Sequence, residues 1–172
     1  MRPLFIVLLA AGCGIVPGTG LGTGTGPRGE SFSTSGGICV DDSEPADDVE
    51  FDVVYSGAEG NGMPTGPAVQ RLTAQEDYDN VQEMLGFTGD PIDFETQEAM
   101  LIFNQVGSTC GLGRESLGAV RGDGRLMIEL LSNDISGACS SVCDMEAWDA
   151  VVVAYDKTLE VEGCARIHNT CQ

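Results

Sequence analysis

The sequence has few of the residues on which most enzymes and nucleic-acid-binding proteins depend. His168 is its only histidine, and it has one tryptophan and three tyrosines. Eight lysines and arginines stand against 27 aspartates and glutamates, for a formal net charge of −19. Such a chain repels phosphate backbones and anionic membrane surfaces, so we expect no nucleic-acid partner.

The sequence also lacks any run of the ~18 uncharged apolar residues that a membrane-spanning helix needs. A shorter apolar run, Leu4 to Ala11, follows Arg2 and ends in small residues before Cys13. That order is typical of a secretory signal. The Ala-Ala-Gly-Cys stretch after Leu9 resembles the lipobox of bacterial lipoproteins, in which cleavage precedes the cysteine and its thiol carries a diacylglycerol. The alternative is an ordinary cleaved signal with a coincidental cysteine.

This interpretation divides the chain into three parts. Residues 1–12 are the signal peptide, residues 13–48 are lipidated Cys13 with a flexible Gly/Thr-rich and acidic linker, and residues 49–172 are one globular α+β domain. The lipid makes the membrane a partner and places the chain in the bacterial cell envelope. The resemblance to bacterial lipoproteins implies that Gly14 after the cysteine favours the outer membrane. The acidic run Asp41 to Asp52 lacks the ligand spacing of an EF-hand, so we interpret it as solvated linker and keep calcium binding as the alternative.

Cysteine number supports export. If Cys13 is lipidated, six of the seven cysteines remain, an even number that predicts three disulfides in an oxidising compartment. Spacing does not choose among their fifteen pairings. Cys-x₃-Cys and Cys-x₃-His spacings near the C-terminus leave structural zinc, including the pair Cys164 and His168, as an alternative. The disulfide candidates are Cys39, Cys110, Cys139, Cys143, Cys164 and Cys171.

The patterns of common catalytic sites are also missing. Ser116 lacks the Gly-x-Ser-x-Gly spacing of a serine hydrolase, and there is no Cys-x-x-Cys. We therefore predict no catalytic residue, no cofactor and no metal. The alternative is a small secreted hydrolase that uses carboxylates, or a thiol-redox protein that uses Cys139 and Cys143.

The globular part predicts an antiparallel β-meander of four to six strands with one covering helix, stapled by disulfides. The helix runs from Leu72 to Gly86, with Thr73 and Glu76 as a capping box and Gly86 as the C-terminal cap. Gly122-Asp123-Gly124 indicates a tight hairpin turn. Apolar or β-forming stretches predict strands over 49–57, 99–107, 116–120, 125–131, 147–156 and 159–167.

A meander of this order brings five cysteines to one end of the sheet. Cys110 lies in one connection at that end, Cys139 and Cys143 lie in the next, and Cys164 and Cys171 lie near the end of the last strand. We expect at least one disulfide between the first two connections. Rigid loops of this kind lose little entropy on binding, so they are the expected recognition surface.

From about Phe51 to His168 the chain resembles the C-terminal domain of the PrcB family of bacterial protease-complex proteins. The resemblance is carried by "LTAQEDYDNV", "IDFETQEAMLIFNQVGSTCG", "SLGAVRGDGRLMIELL" and "AWDAVVVAYD". It implies an exported accessory domain associated with a protease, and it assigns no functional residue. The expected partner is thus an envelope or secreted protein.

Overall fold

The computed structural model describes residues 22–25, 31–34, 39–57, 67–106, 112–134 and 147–169. These ranges are mostly β-strand and contain one helix, α1 (Gln75–Leu85). The strands are β1 (Gly22–Thr25), β2 (Ser31–Thr34), β3 (Glu44–Pro45), β4 (Phe51–Gly57), β5 (Ala68–Leu72), β6 (Gln97–Val106), β7 (Leu112–Gly122), β8 (Arg125–Asp134), β9 (Ala147–Asp156) and β10 (Val161–Asn169).

Eight of these strands form two four-stranded sheets. The first sheet has the order β4-β9-β6-β5 and is antiparallel throughout. The second sheet has the order β10-β8-β7-β3, and its edge strand β10 runs parallel to β8. β1 and β2 pair with each other in a separate antiparallel hairpin.

The helix, the first sheet and the second sheet form three layers. The central strands β6 and β9 are apolar on both faces, as the sequence predicts for covered strands. Their outer face carries Leu101 and Val152, which share a core with Tyr78 and Val81 of α1. Their inner face packs on the second sheet through a core of ten buried residues: Val69, Met100, Ile102, Ile128, Leu130, Val151, Val153, Tyr155, Val161 and Ala165.

The prediction of an α+β domain with one covering helix is confirmed, but the single meander of four to six strands is wrong. The chain crosses from the first sheet to the second between β6 and β7, returns between β8 and β9, and crosses again into β10. The physical reason is that β6 and β9 have two apolar faces, and one helix can cover only one of them. The short strand β5 was not predicted, because it lies next to the Gly/Pro-rich stretch and the helix start.

Both ends of the helix were predicted, and one prediction is wrong. Gly86 adopts the left-handed conformation, with φ of 68°, and its N–H bonds the carbonyl of Gln82, as expected of a C-terminal cap. The capping box is absent, because the N-cap is Ala74 and makes no side-chain cap bond. The backbone N–H of Thr73 instead donates to Oδ2 of Asp77 at 3.2 Å.

The hairpin turn between β7 and β8 is confirmed. Asp123 and Gly124 have φ angles of 51° and 74°, and Gly122 pairs with Arg125 across the turn. Two consecutive positive φ angles define the type I′ turn that matches the twist of a two-residue hairpin, and Gly124 adopts its angle at no steric cost.

Candidate functional site

Cys39 and Cys164 form a buried clasp on the outer face of the second sheet. The two residues lie at disulfide-bonding distance, with Cα atoms 4.9 Å apart. Both side chains are buried and share a small apolar cluster with Val120 and Met127. This clasp confirms that a cysteine-linked staple is present, although the sequence alone did not select this pair.

The clasp fastens a short segment that we call the strap, residues 39–48. These residues belong to the predicted linker, yet Ala46 is 3% exposed. The strap supplies strand β3, and the backbone N–H of Ala46 donates to the carbonyl of Ala119 at 2.9 Å. The strap is therefore held against the second sheet by both backbone bonds and the clasp.

Glu129 and Arg166 lie beside the clasp. Cys164 and Glu129 are direct cross-strand partners on β10 and β8. The guanidinium of Arg166 bonds the carboxylate of Glu129, and it also donates to the carbonyl of Val40 at 3.4 Å and to Oγ of Ser43 at 3.3 Å. Arg166 thus joins the sheet to the strap on which Cys39 lies.

A second cluster, the polar layer, lies between the two sheets and consists of Asn104, Arg114, Ser132 and Asp149. Asn104 and Asp149 are register partners in the first sheet, and Arg114 and Ser132 are register partners in the second. Asn104, Ser132 and Asp149 are at most 4% exposed. Two cross-strand pairs therefore face each other within an otherwise apolar core.

The hydrogen bonds of the polar layer have a single direction. Oγ of Ser132 donates its proton to Oδ2 of Asp149 at 2.9 Å. Oγ of Ser132 therefore acts as the acceptor in its 2.8 Å hydrogen bond with Nδ2 of Asn104. Arg114 donates from Nε to Oδ2 of Asp149 at 3.3 Å and contacts Oδ1 with its terminal nitrogen. The carboxylate is thereby neutralised by a guanidinium whose side chain is 26% exposed.

Asn104 leaves one polar atom unsatisfied. Its Nδ2 also donates to the carbonyl of Arg166 at 3.0 Å, whereas its buried Oδ1 has no partner among the described residues. Exchanging the two amide atoms would place an oxygen against carbonyl oxygens, so the orientation is fixed by the surrounding acceptors.

The polar layer marks one end of the sheets, which we call the loop end. β4, β6, β8 and β10 end there, and β5, β7 and β9 begin there. The segments that follow β6, β8 and β10 carry the remaining candidate cysteines. Those residues, like Cys13, lie outside the described part of the chain: Cys110, Cys139, Cys143 and Cys171. The expected bridge between the first two connections therefore stays a prediction.

Two sequence expectations near the C-terminus need correction. Cys164 lies in the middle of β10 and not at its upper end. The alternative zinc pair, Cys164 and His168, lies on an extended strand. Four residues of strand separate their Cα atoms by about 13 Å, which is too far for both side chains to bind one zinc ion. His168 is exposed and its Nδ1 lies 3.3 Å from a carboxylate oxygen of Glu115.

The opposite end, the turn end, carries an acidic groove of about 320 Å³. Asp48 pairs with Arg121 at 2.7 Å, and this hydrogen bond lowers the pKa of Asp48. Asp156 accepts from the backbone N–H and the hydroxyl of Thr158, and these bonds lower its pKa. Both of these carboxylates thus already have protein partners. The lining residues are Asp47, Asp48, Val49, Glu50, Asp156 and Leu159.

Sequence reasoning missed the polar layer as a cluster. Asn104 and Asp149 were visible only as polar residues in otherwise apolar strands, and nothing in the sequence relates either of them to Arg114. A polar residue in a strand covered on both faces is the signal that could have found them, because such a residue needs a buried partner.

Comparisons with protein-family models, curated proteins and solved structures find no match for this chain. In the described part of the chain, no helical segment combines the length and the apolar character that crossing a bilayer would require.

Proposed function

We propose that this chain is an exported bacterial lipoprotein, anchored through Cys13, whose domain is a non-catalytic accessory module that binds a protein of the cell envelope. The observation that carries the proposal is the buried clasp between Cys39 and Cys164. Disulfides persist in exported proteins and are rare in the cytosol, so a buried clasp of this kind favours an oxidising compartment.

The position of the clasp also suits an anchored protein. A chain tied to a membrane at Cys13 transmits any pull to the point where it is fastened to the domain. Strand β3 follows Cys39, which is linked to the middle of β10, so a covalent bond protects this two-residue strand from such a pull. The stretch from Cys13 to Cys39 could reach at most about 90 Å when fully extended.

The loop end is the proposed partner surface. Three connections and the C-terminal segment leave the two sheets at this end, and the polar layer gives the strand termini beneath them fixed side-chain contacts. Binding surfaces are commonly built from loops on a rigid scaffold. The PrcB-like pattern supports a protease-associated partner.

The anchor is tested by expressing the full chain in a diderm bacterium with a clickable fatty acid. We expect acylation of the wild type, its loss in Cys13→Ser, and its retention in the control Cys39→Ser/Cys164→Ser. Mass spectrometry of the mature N-terminus should identify lipidated Cys13. An intact Met1 on the exported protein, or equal labelling of Cys13→Ser, would show that the anchor is wrong.

The partner surface is tested by site-specific photo-crosslinking in cells of the source organism. A photoreactive residue replaces Leu112 at the loop end or, as a matched control, exposed Glu160 in the turn between β9 and β10 at the turn end. We expect a discrete adduct from position 112 only, with a protein identified by mass spectrometry. Equal adducts from both positions, or an adduct from position 160 alone, would contradict the proposed surface.

A further inference from the structure

The clasp contains a third potential metal ligand. The Sγ atoms of Cys39 and Cys164 and a carboxylate oxygen of Glu129 lie within 4.8 Å of one another. They come from three separate places in the fold, namely the strap, β10 and β8. The register pairing of Cys164 with Glu129 places both residues side by side on the outer face of the second sheet.

These ligand atoms match the preferences of zinc. Zn²⁺ binds thiolate sulfur and carboxylate oxygen, and with three protein ligands it keeps a fourth position for water. Two thiolates and one carboxylate would leave a bound Zn²⁺ with one excess negative charge. The guanidinium of Arg166, which bonds Glu129, supplies the compensating positive charge and orients the carboxylate.

We propose that the reduced form of this chain binds Zn²⁺ through Cys39, Cys164 and Glu129. A dithiol reductant breaks the S–S bond by exchange: it supplies two electrons and two protons to the cysteines and is itself oxidised to a disulfide. Zn²⁺ then displaces the two thiol protons to solvent as the thiolates bind it. The clasp is thus closed by a disulfide in one redox state and by a metal in the other.

The consequence is that the strap stays fastened when the disulfide is lost. Without a metal, reduction leaves β3, the Ala46 bond and the contacts of Arg166 to hold the strap. With Zn²⁺ bound, Cys39 remains linked to β10 and β8. This inference is independent of lipid attachment, so it can fail while the proposed anchor stands.

The test measures alkylation of individual cysteines in the reduced full chain. The protein is reduced anaerobically with a phosphine, incubated with or without zinc chloride, and treated with iodoacetamide, and each cysteine is then quantified by peptide mass spectrometry. Peptide mapping separates Cys39 and Cys164 from the other five cysteines. We expect Zn²⁺ to slow alkylation of both residues by about tenfold or more.

Two variants separate a three-ligand site from adventitious thiol binding. Glu129→Gln should weaken the zinc protection of both cysteines by about tenfold or more, because substitutions at metal-site residues commonly lower metal affinity by that factor. The matched control is Glu162→Gln, two residues from Cys164 on the same strand, whose carboxylate pairs with Arg125 at 3.0 Å. In this control, Zn²⁺ should protect Cys39 and Cys164 from alkylation as strongly as it does in the wild type.

Circular dichroism accompanies each measurement. If the reduced chain loses structure, Zn²⁺ should restore the spectrum of the wild type and of Glu162→Gln, but not that of Glu129→Gln. Equal alkylation with and without Zn²⁺ in a folded chain would overturn the proposal. Protection that Glu129→Gln leaves unchanged, or a reduced chain that Zn²⁺ does not refold, would overturn it as well.

Discussion

The polar layer provides the sharpest test of how the two sheets are held together. The substitution Asp149→Asn removes one charge and keeps the size of the side chain. It leaves the guanidinium of Arg114 without its carboxylate, and it turns an acceptor of the Ser132 hydroxyl into an amide. We expect the domain to lose stability without a change in fold.

The magnitude follows from the burial of the pair. Removing one partner of a fully buried ion pair costs about 3–5 kcal/mol, because an uncompensated charge remains. Asp149 is 4% exposed, but the side chain of Arg114 is 26% exposed and can recover some hydration. We therefore expect a loss of about 2–3 kcal/mol, since part of the penalty is relieved by water.

Urea unfolding measures this loss. With a slope of about 1.5 kcal/mol per M, the midpoint of Asp149→Asn should fall by about 1–2 M. The matched control is Asp48→Asn, which removes a carboxylate from the exposed pair with Arg121 and should leave the midpoint nearly unchanged. If both variants unfold at the wild-type midpoint, the polar layer does not stabilise the domain and the reasoning is refuted.

Three further predictions concern the clasp, the packing between the sheets and the acidic turns. Cys39→Ser/Cys164→Ser removes a disulfide that closes a loop with a sequence separation of 125, and it should lower the unfolding free energy by up to about 5 kcal/mol. Urea titration without reductant measures this loss, and an unfolding midpoint equal to that of the oxidised wild type would exclude it. Gly163→Ala would place a Cβ in overlap with Sδ of buried Met100 and should lower the unfolding free energy, measured by thermal unfolding, by about 1–3 kcal/mol. The control Gly118→Ala, whose Cβ would have no atom within 4 Å, should leave it unchanged. Equal melting temperatures of the two variants would contradict the close approach at Gly163. The hydroxyl of Thr96 holds the pKa of Asp93 below its ordinary 3.8. The ionised Asp93 carboxylate therefore stabilises the fold above that value, and this stabilisation is lost as pH falls through the lower folded pKa. Asp93→Asn should destabilise the domain more at about pH 5 than at about pH 3, and an equal effect at both would be inconsistent with this linkage.

Local features of the fold were predictable because their causes are local. The turn at Asp123 and Gly124 follows from residues that tolerate positive φ, and β9 spans the predicted residues 147–156 because its apolar β-branched side chains are contiguous. Gly86 ends the helix for the same reason, since a glycine adopts the left-handed angle of the cap without strain.

The candidate site was not predictable in the same way. Cys39 and Cys164 are 125 residues apart, and spacing does not choose among the fifteen pairings that six cysteines allow. Glu129 is a ligand candidate only because a parallel pairing of β10 with β8 places it beside Cys164. That pairing depends on β9 lying in the other sheet, which no local pattern indicates.

By itself the sequence determined the excess of negative charge, the positions of the main strands and the helix, the tight turn, and the cysteine content on which the expectation of export depends. These properties follow from composition and from the side-chain periodicity of short segments. Only the tertiary structure decided that two sheets stack face to face, that the strap belongs to the domain, and which cysteine meets Cys39. Those outcomes depend on contacts between residues far apart in the chain, and β6 and β9 bury both their faces only when a second sheet packs against the first.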